Sequence, residues 1–81
     1  MNDNLEKEIY KIFSNTFNIA ISDITLETSP SDIALWDSLG QLNIVSTLEQ
    51  HFSIVFDYEE LFQIVSVDSI ISIVRLKLNE K

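Results

Sequence analysis

An 81-residue chain with thirteen acids, five bases and one histidine carries a formal charge of −8, which excludes the basic surface that nucleic acid or an anionic membrane demands. Hydrophobic residues make up 46% and are spread throughout, so composition does not make the chain disordered, yet at this length it buries only about 60% of the surface it exposes when unfolded. One domain over residues 1–81 is expected, too small to hold a deep catalytic cleft beside a stable interior.

A single glycine and a single proline supply little turn chemistry for a many-stranded β fold, so helices joined by irregular connections are favoured. From Asn4 to Phe17, Leu5, Ile9, Ile12, Phe13 and Phe17 fall on one face of a first helix, with Asp3 and Glu6 spaced as a capping-box start. Residues 18–36 show no sustained period and read as a long loop, pinned to the bundle by Ile19, Ile21, Ile24, Leu26, Ile33, Leu35 and Trp36, with room for short helical turns. A second helix is predicted from about Ser38 to Phe52. At roughly 100° per residue, Leu42, Val45, Leu48 and Phe52 face inward with Ile44 at the margin, while Leu39, Asn43, Ser46, Thr47 and Gln50 face outward. Leu39, off the buried stripe, is either a contact for partners or a residue that folds back over the loop.

Asp57 with Glu60 opens a short third helix that buries Leu61 and either Tyr58 or Phe62. Ser66 caps a last helix whose inner face carries Val67, Ile70, Ile71, Val74 and Leu78, with Lys77 and Lys81 at the end that suits cations. Taken alone, Ile71–Leu78 is ambiguous, because it is rich in β-branched residues and partly alternates like a strand. Three helices before it make a helical bundle the consistent answer. The expected fold class is all-α, a four-helix bundle with a long first loop and a short third helix. Ile9, Phe13, Leu42, Val45, Leu48, Phe52, Ile70, Ile71 and Val74 form its interior.

Asp37-Ser38-Leu39 opens the second helix and is the one segment with chemical promise. Ser38 is no nucleophile of a catalytic dyad: the only histidine, His51, lies about 20 Å away along the same helix at roughly 1.5 Å rise per residue. The acids Asp57, Glu59 and Glu60 lack the alternate spacing and central glycine of a calcium loop, and no metal site is expected. No enzyme is read from the chain. Two arrangements of the serine remain open on the residues alone. Ser38 is the N-cap, with Gln41 completing a capping box, or Asp37 is the cap and Ser38 presents its hydroxyl to water in the first turn, where the positive end of a helix favours an anion. Gly40 costs about 0.5–1 kcal/mol against Ala in a helix. It either lets another molecule approach the backbone or sits where an uncommitted first turn tolerates it, and the second reading is favoured. With no cysteine in the chain, any thioester chemistry must use a thiol brought from outside.

The stretch from Leu35 through Asp37-Ser38-Leu39-Gly40 to Val45, in a chain of this length, charge and helical order, resembles the acyl carrier proteins, and the resemblance spans Leu5 to Leu78. It implies a carrier whose Ser38 receives a 4′-phosphopantetheine arm from coenzyme A by a phosphopantetheinyl transferase. Asp37 would help to position the metal and the cofactor during that transfer, and Leu39 would contact the transferase. Acyl or aminoacyl groups would then ride as thioesters between loading and transferring enzymes. A second class, a small helical interaction module without the group, stays open. One departure stands out: fatty-acid carriers line the exposed side of this helix with acids, whereas here Glu49 is the only acid between Ser38 and Phe52. That departure points away from fatty-acid synthesis and toward a dedicated pathway. Trp36 and Gly40 flanking the motif look like free-standing carriers of surface-polysaccharide or secondary-metabolite clusters, and Ser-x-Gly is similar to D-alanyl carriers. Partner binding is expected on Leu39, Asn43, Ser46, Thr47 and Gln50. The polar start Asn2-Asp3-Asn4 does not fit a secretory signal, and no apolar run nears the roughly 20 residues of a membrane span, so a cytoplasmic monomer is expected.

Overall fold

The computed structural model describes residues 2–79. Its order is α1 (Asn2–Phe17), a 3-10 turn (Ile21–Asp23), α2 (Ser38–Phe52), the four-residue α3 (Tyr58–Leu61) and α4 (Val67–Asn79). This is the expected all-α arrangement of four helices with a short third one. α1 begins at Asn2; the capping expected of the Asp3 side chain lies outside what is described. Lys81, expected at the end of α4, lies outside the described residues.

The apolar period of α1 places Ile9, Ile12, Phe13 and Phe17 in the interior with Leu5 packed at its edge. Both α1 and α2 end without glycine, their chains turning through left-handed Asn18 and Ser53, each at φ 56°. The amides that follow close these ends back onto the helices, Ile19 N–H to Ser14 O at 3.2 Å and Ile54 N–H to Glu49 O at 3.1 Å.

α2 differs from the expected wheel by a fraction of a turn. Ile44, placed at the margin by sequence, is fully buried, while Leu42, expected inside, is 58% exposed. The inward face runs through Gln41, Ile44, Val45, Leu48 and Phe52, because both α1 and the loop cover α2 on its Ile44 side. Leu42 stands about 100° round from Gln41 and falls outside that cover.

Residues 18–36 hold their place by a few deep anchors. Ile24, Ile33 and Trp36 are buried and Ile19 packs against the core, but Ile21, Leu26 and Leu35, also expected to pin the loop, are exposed. Buried Thr28 organises the middle, its hydroxyl accepting from Thr25 N–H at 2.8 Å. The loop backbone then caps α4: Val67 N–H donates to Thr28 O at 2.9 Å and Asp68 N–H to Leu26 O at 3.0 Å. Free amides at the start of α4 thus find partners forty residues upstream, which ties the loop to the bundle without regular structure.

The β-branched segment after Ser66 is helical, as the bundle requires. Ser66 Oγ accepts from Ser69 N–H at 3.3 Å while Ser69 Oγ accepts from Ser66 N–H at 3.0 Å, a reciprocal cap with serine at both positions. Val67, Ile70, Ile71 and Val74 are buried as expected and Leu78 is partly so; Ile73 joins them, since the short helix is covered on more than one side.

Candidate functional site

Asp37, not Ser38, is the N-cap of α2. Its backbone is extended, its Oδ1 accepts from Gly40 N–H at 2.9 Å and its carbonyl accepts from Gln41 N–H at 2.7 Å. Gln41 therefore closes no capping box with Ser38. The serine is the first helical residue; its hydroxyl is exposed and has no hydrogen-bond partner among the described residues. Ahead of Gly40 the amides of Ser38 and Leu39 are the unpaired donors that begin every helix, so the serine oxygen stands at a positive end. Of the two arrangements the sequence left open, the observed one leaves the hydroxyl free.

The approach to this turn is fixed from below. Trp36 is buried, its ring edge-on to Phe13 at 5.0 Å between centroids and stacked on Phe17 at 6.1 Å. Gly40 is buried too, and the reason corrects the milder reading of this residue. A Cβ at position 40 would lie 1.9 Å from the Leu35 carbonyl oxygen and 3.1 Å from the Phe17 ring. The loop crosses α2 in contact with its backbone, and only glycine allows that crossing.

Leu39 is 72% exposed and does not fold back over the loop. Asn43, Ser46, Thr47 and Gln50 are exposed as expected, with Thr47 Oγ–H donating to Asn43 O at 2.9 Å. Glu49, the lone acid of the helix, is half-buried and accepts from Phe56 N–H at 2.8 Å, holding the turn after α2 rather than facing a partner. His51 lies at the far end of α2 from Ser38 and pairs with Glu8 at 3.3 Å on the surface. No group of three or more metal-ligating side chains comes together among the described residues, and no helix is long and apolar enough to cross a membrane.

Sequence reasoning missed the groove beside Ser38. A hollow of about 560 Å³ runs between the start of α2 and α3, lined by Leu42, Tyr58, Leu61, Phe62, Ile64 and Trp36 with Ser38 and Asp37 at its mouth. Tyr58 and Phe62, one of which was expected inside, are 76% and 72% exposed. A helix of only four residues offers one inward position, taken in part by Leu61, and its two rings meet edge-on at 5.2 Å outside the core. The available signal was the aromatic pair Tyr58 and Phe62 on a helix too short to bury both; the exposure of Leu42, which spacing placed inside, carried none.

The α3 wall is latched to α4. Glu60 completes the capping box with Asp57, accepting from Asp57 N–H at 2.7 Å, and its carboxylate meets Lys77 Nζ at 2.7 Å. Burial works against the Glu60 charge, but the Lys77 hydrogen bond and the Asp57 amide outweigh it and hold the carboxyl below its ordinary value of 4.5. A depressed carboxylate contributes stability above the unfolded value that is lost as pH falls through the folded one. Glu60→Gln should therefore lower stability at neutral pH and flatten the loss between the ordinary value and the lower folded one, measured by denaturant midpoints across acid pH.

The chain matches the phosphopantetheine attachment site family over residues 7–74. It is 27% identical over 77 residues to an acyl carrier protein of Petrotoga mobilis, a match covering 95% of this chain and 91% of that one. The solution NMR structure of holo acyl carrier protein from Geobacter metallireducens superposes with a TM-score of 0.85 at 33% identity, covering 93% of this chain and 86% of that one. With a free serine at the capped start of α2 and this bundle around it, the chain belongs to the acyl carrier protein family, non-catalytic carriers built around a phosphopantetheine attachment site.

Proposed function

We propose that Ser38 is the residue that takes the 4′-phosphopantetheine arm and that the protein carries acyl or aminoacyl groups on it for a dedicated biosynthetic pathway. The observation that carries this reading is the division of labour at the start of α2: Asp37 caps the helix, so the Ser38 hydroxyl is left exposed and unbonded at a positive helix end. In priming, the Ser38 Oγ–H bond is replaced by an Oγ–P bond. The phosphorus–oxygen bond to the adenosine bisphosphate of coenzyme A breaks, and the proton leaves to a base of the transferase. Asp37 Oδ1 is held by the Gly40 amide, which leaves the other carboxylate oxygen to face the transferase site. Leu39, exposed on the next position, is its apolar contact.

A chain without cysteine makes the test direct. After incubation with coenzyme A and a broad-specificity transferase, one thiol per chain should titrate with a thiol reagent, and none before. No thiol after transfer would sink the reading.

Recognition by later enzymes is assigned to the outward side of α2, Leu39, Asn43, Ser46, Thr47 and Gln50. The neutrality of this side supports a partner read by shape and hydrogen bonds, and with it a pathway other than fatty-acid synthesis, since basic steering has no acid to act on there. Placing Glu at Asn43 and Gln50 should weaken a native partner about tenfold or more by burying unpaired charge, while wild-type affinity changes little with ionic strength. Tight binding that survives both substitutions would move the interface elsewhere. A steep salt dependence of the wild type would contradict recognition by shape.

A further inference from the structure

Gln41 is a half-buried polar side chain in line with Ile44, Val45 and Leu48, which are all buried and apolar. Its amide joins three separate parts of the molecule. Trp36 Nε1–H, at the end of the loop, donates to Gln41 Oε1 at 2.7 Å, and Gln41 Nε2 donates to the carbonyl of Leu61 at the end of α3 at 3.3 Å. Trp36 and Leu61 both line the groove beside Ser38, and Gln41, about one turn below the serine, lines it too. The two bonds therefore run across the inner end of the groove as a polar bar. Behind it Trp36 packs on Phe13 and Phe17 in a filled core. In front of it Leu42, Tyr58 and Phe62 are largely exposed.

From this placement we propose that Gln41 is a specificity-determining residue of the carrier: its cross-tie between Trp36 and Leu61 shuts the groove from the interior and restricts the cargo to acyl groups that lie short and shallow along Leu42, Tyr58 and Phe62. A long alkyl chain would have to part the bar, stripping the indole N–H and a carbonyl of their partners. A short acyl group does not reach it. Gln41 holds the two walls of the groove together and takes no part in bond making. The proposal rests on Ser38 being the attachment residue.

The sole tryptophan of the chain is one end of the bar, so it reports directly on it. The probes are acetyl- and octanoyl-coenzyme A, used with a permissive transferase to load wild type, Gln41→Met and Gln41→Glu. Gln41→Met keeps the length and removes both bonds; Gln41→Glu keeps the acceptor for Trp36 and removes the donor to Leu61. Two readouts are taken, Trp36 emission and the rate at which hydroxylamine cleaves the thioester. In wild type, octanoyl and acetyl forms should show the same emission and cleavage rates. In both variants the octanoyl form should shift Trp36 emission and be cleaved about fivefold more slowly than the acetyl form, the equilibrium worth of about one hydrogen bond. A wild type that already protects octanoyl and shifts its emission overturns the bar, even if Gln41→Met fails to fold. Variants that fold, load and still treat the two chains alike overturn it as well. If wild type accepts no acyl-phosphopantetheine at all, the carrier assignment of Ser38 fails first; loading without the contrast removes only the role of Gln41.

Discussion

Gly40→Ala is expected to cost about 3 kcal/mol or more, at the upper end of overpacking effects and far beyond what helix propensity would give. Propensity alone predicts a gain, since alanine is the better helix former by about 0.5–1 kcal/mol. The sign is reversed by one contact: the new methyl carbon would lie 1.9 Å from the Leu35 carbonyl oxygen and 2.9 Å from its carbon, both backbone atoms that cannot swing aside. The loop must retreat from α2 or the first turn must unwind. Either movement drags Trp36 out of its place against Phe13 and Phe17 and disturbs the Asp37 cap on the Gly40 amide. Chemical denaturation of the purified variant measures the loss, and priming of any folded fraction should slow as well. An alanine variant as stable as wild type would mean that the loop does not cross at Leu35.

The second large effect separates two leucines that sequence periodicity treats alike. Leu48→Ala should cost about 2–5 kcal/mol, because the side chain is fully buried and its removal leaves a cavity. That is a large share of the total for a domain of this size, so the variant should be largely unfolded near its growth temperature. Leu42→Ala, 58% exposed, should stay within about 0.5 kcal/mol. Paired denaturant titrations decide it. Equal losses at the two positions would rotate α2 back to the phase that the spacing of its leucines suggests.

That contrast shows where sequence was sufficient. In α1 the hydrophobic period is strong, so Ile9 and Phe13 are legible from spacing alone, whereas Ile70, Ile71 and Val74 of α4 are buried as expected only because the helices before them decide between helix and strand. α2 is covered by both α1 and a long loop, and the position of an irregular loop has no period to read. Ile44 and Leu42 exchange roles for that reason. The same loop explains Gly40: a clash with a carbonyl five residues upstream is a tertiary fact that no local propensity carries. On α3 the obstacle is physical as well. Four residues make barely one turn, so a helical wheel cannot say which of Tyr58 and Phe62 is inside, and both are out. The start of α2 was half legible. Asp37 and Ser38 are both good caps in isolation, and the choice between them is made by backbone geometry that brings Asp37 Oδ1, and not the serine, to the Gly40 amide.

The carrier assignment of Ser38 is tested most directly by intact mass. Wild type, Ser38→Ala and a Ser46→Ala control are each incubated with coenzyme A and a phosphopantetheinyl transferase. The account predicts that wild type and Ser46→Ala each gain the mass of one phosphopantetheinyl group, that no molecule gains two, and that Ser38→Ala, folded by circular dichroism, gains none. A wild type that never gains the group, or a Ser38→Ala variant that still does, would contradict it.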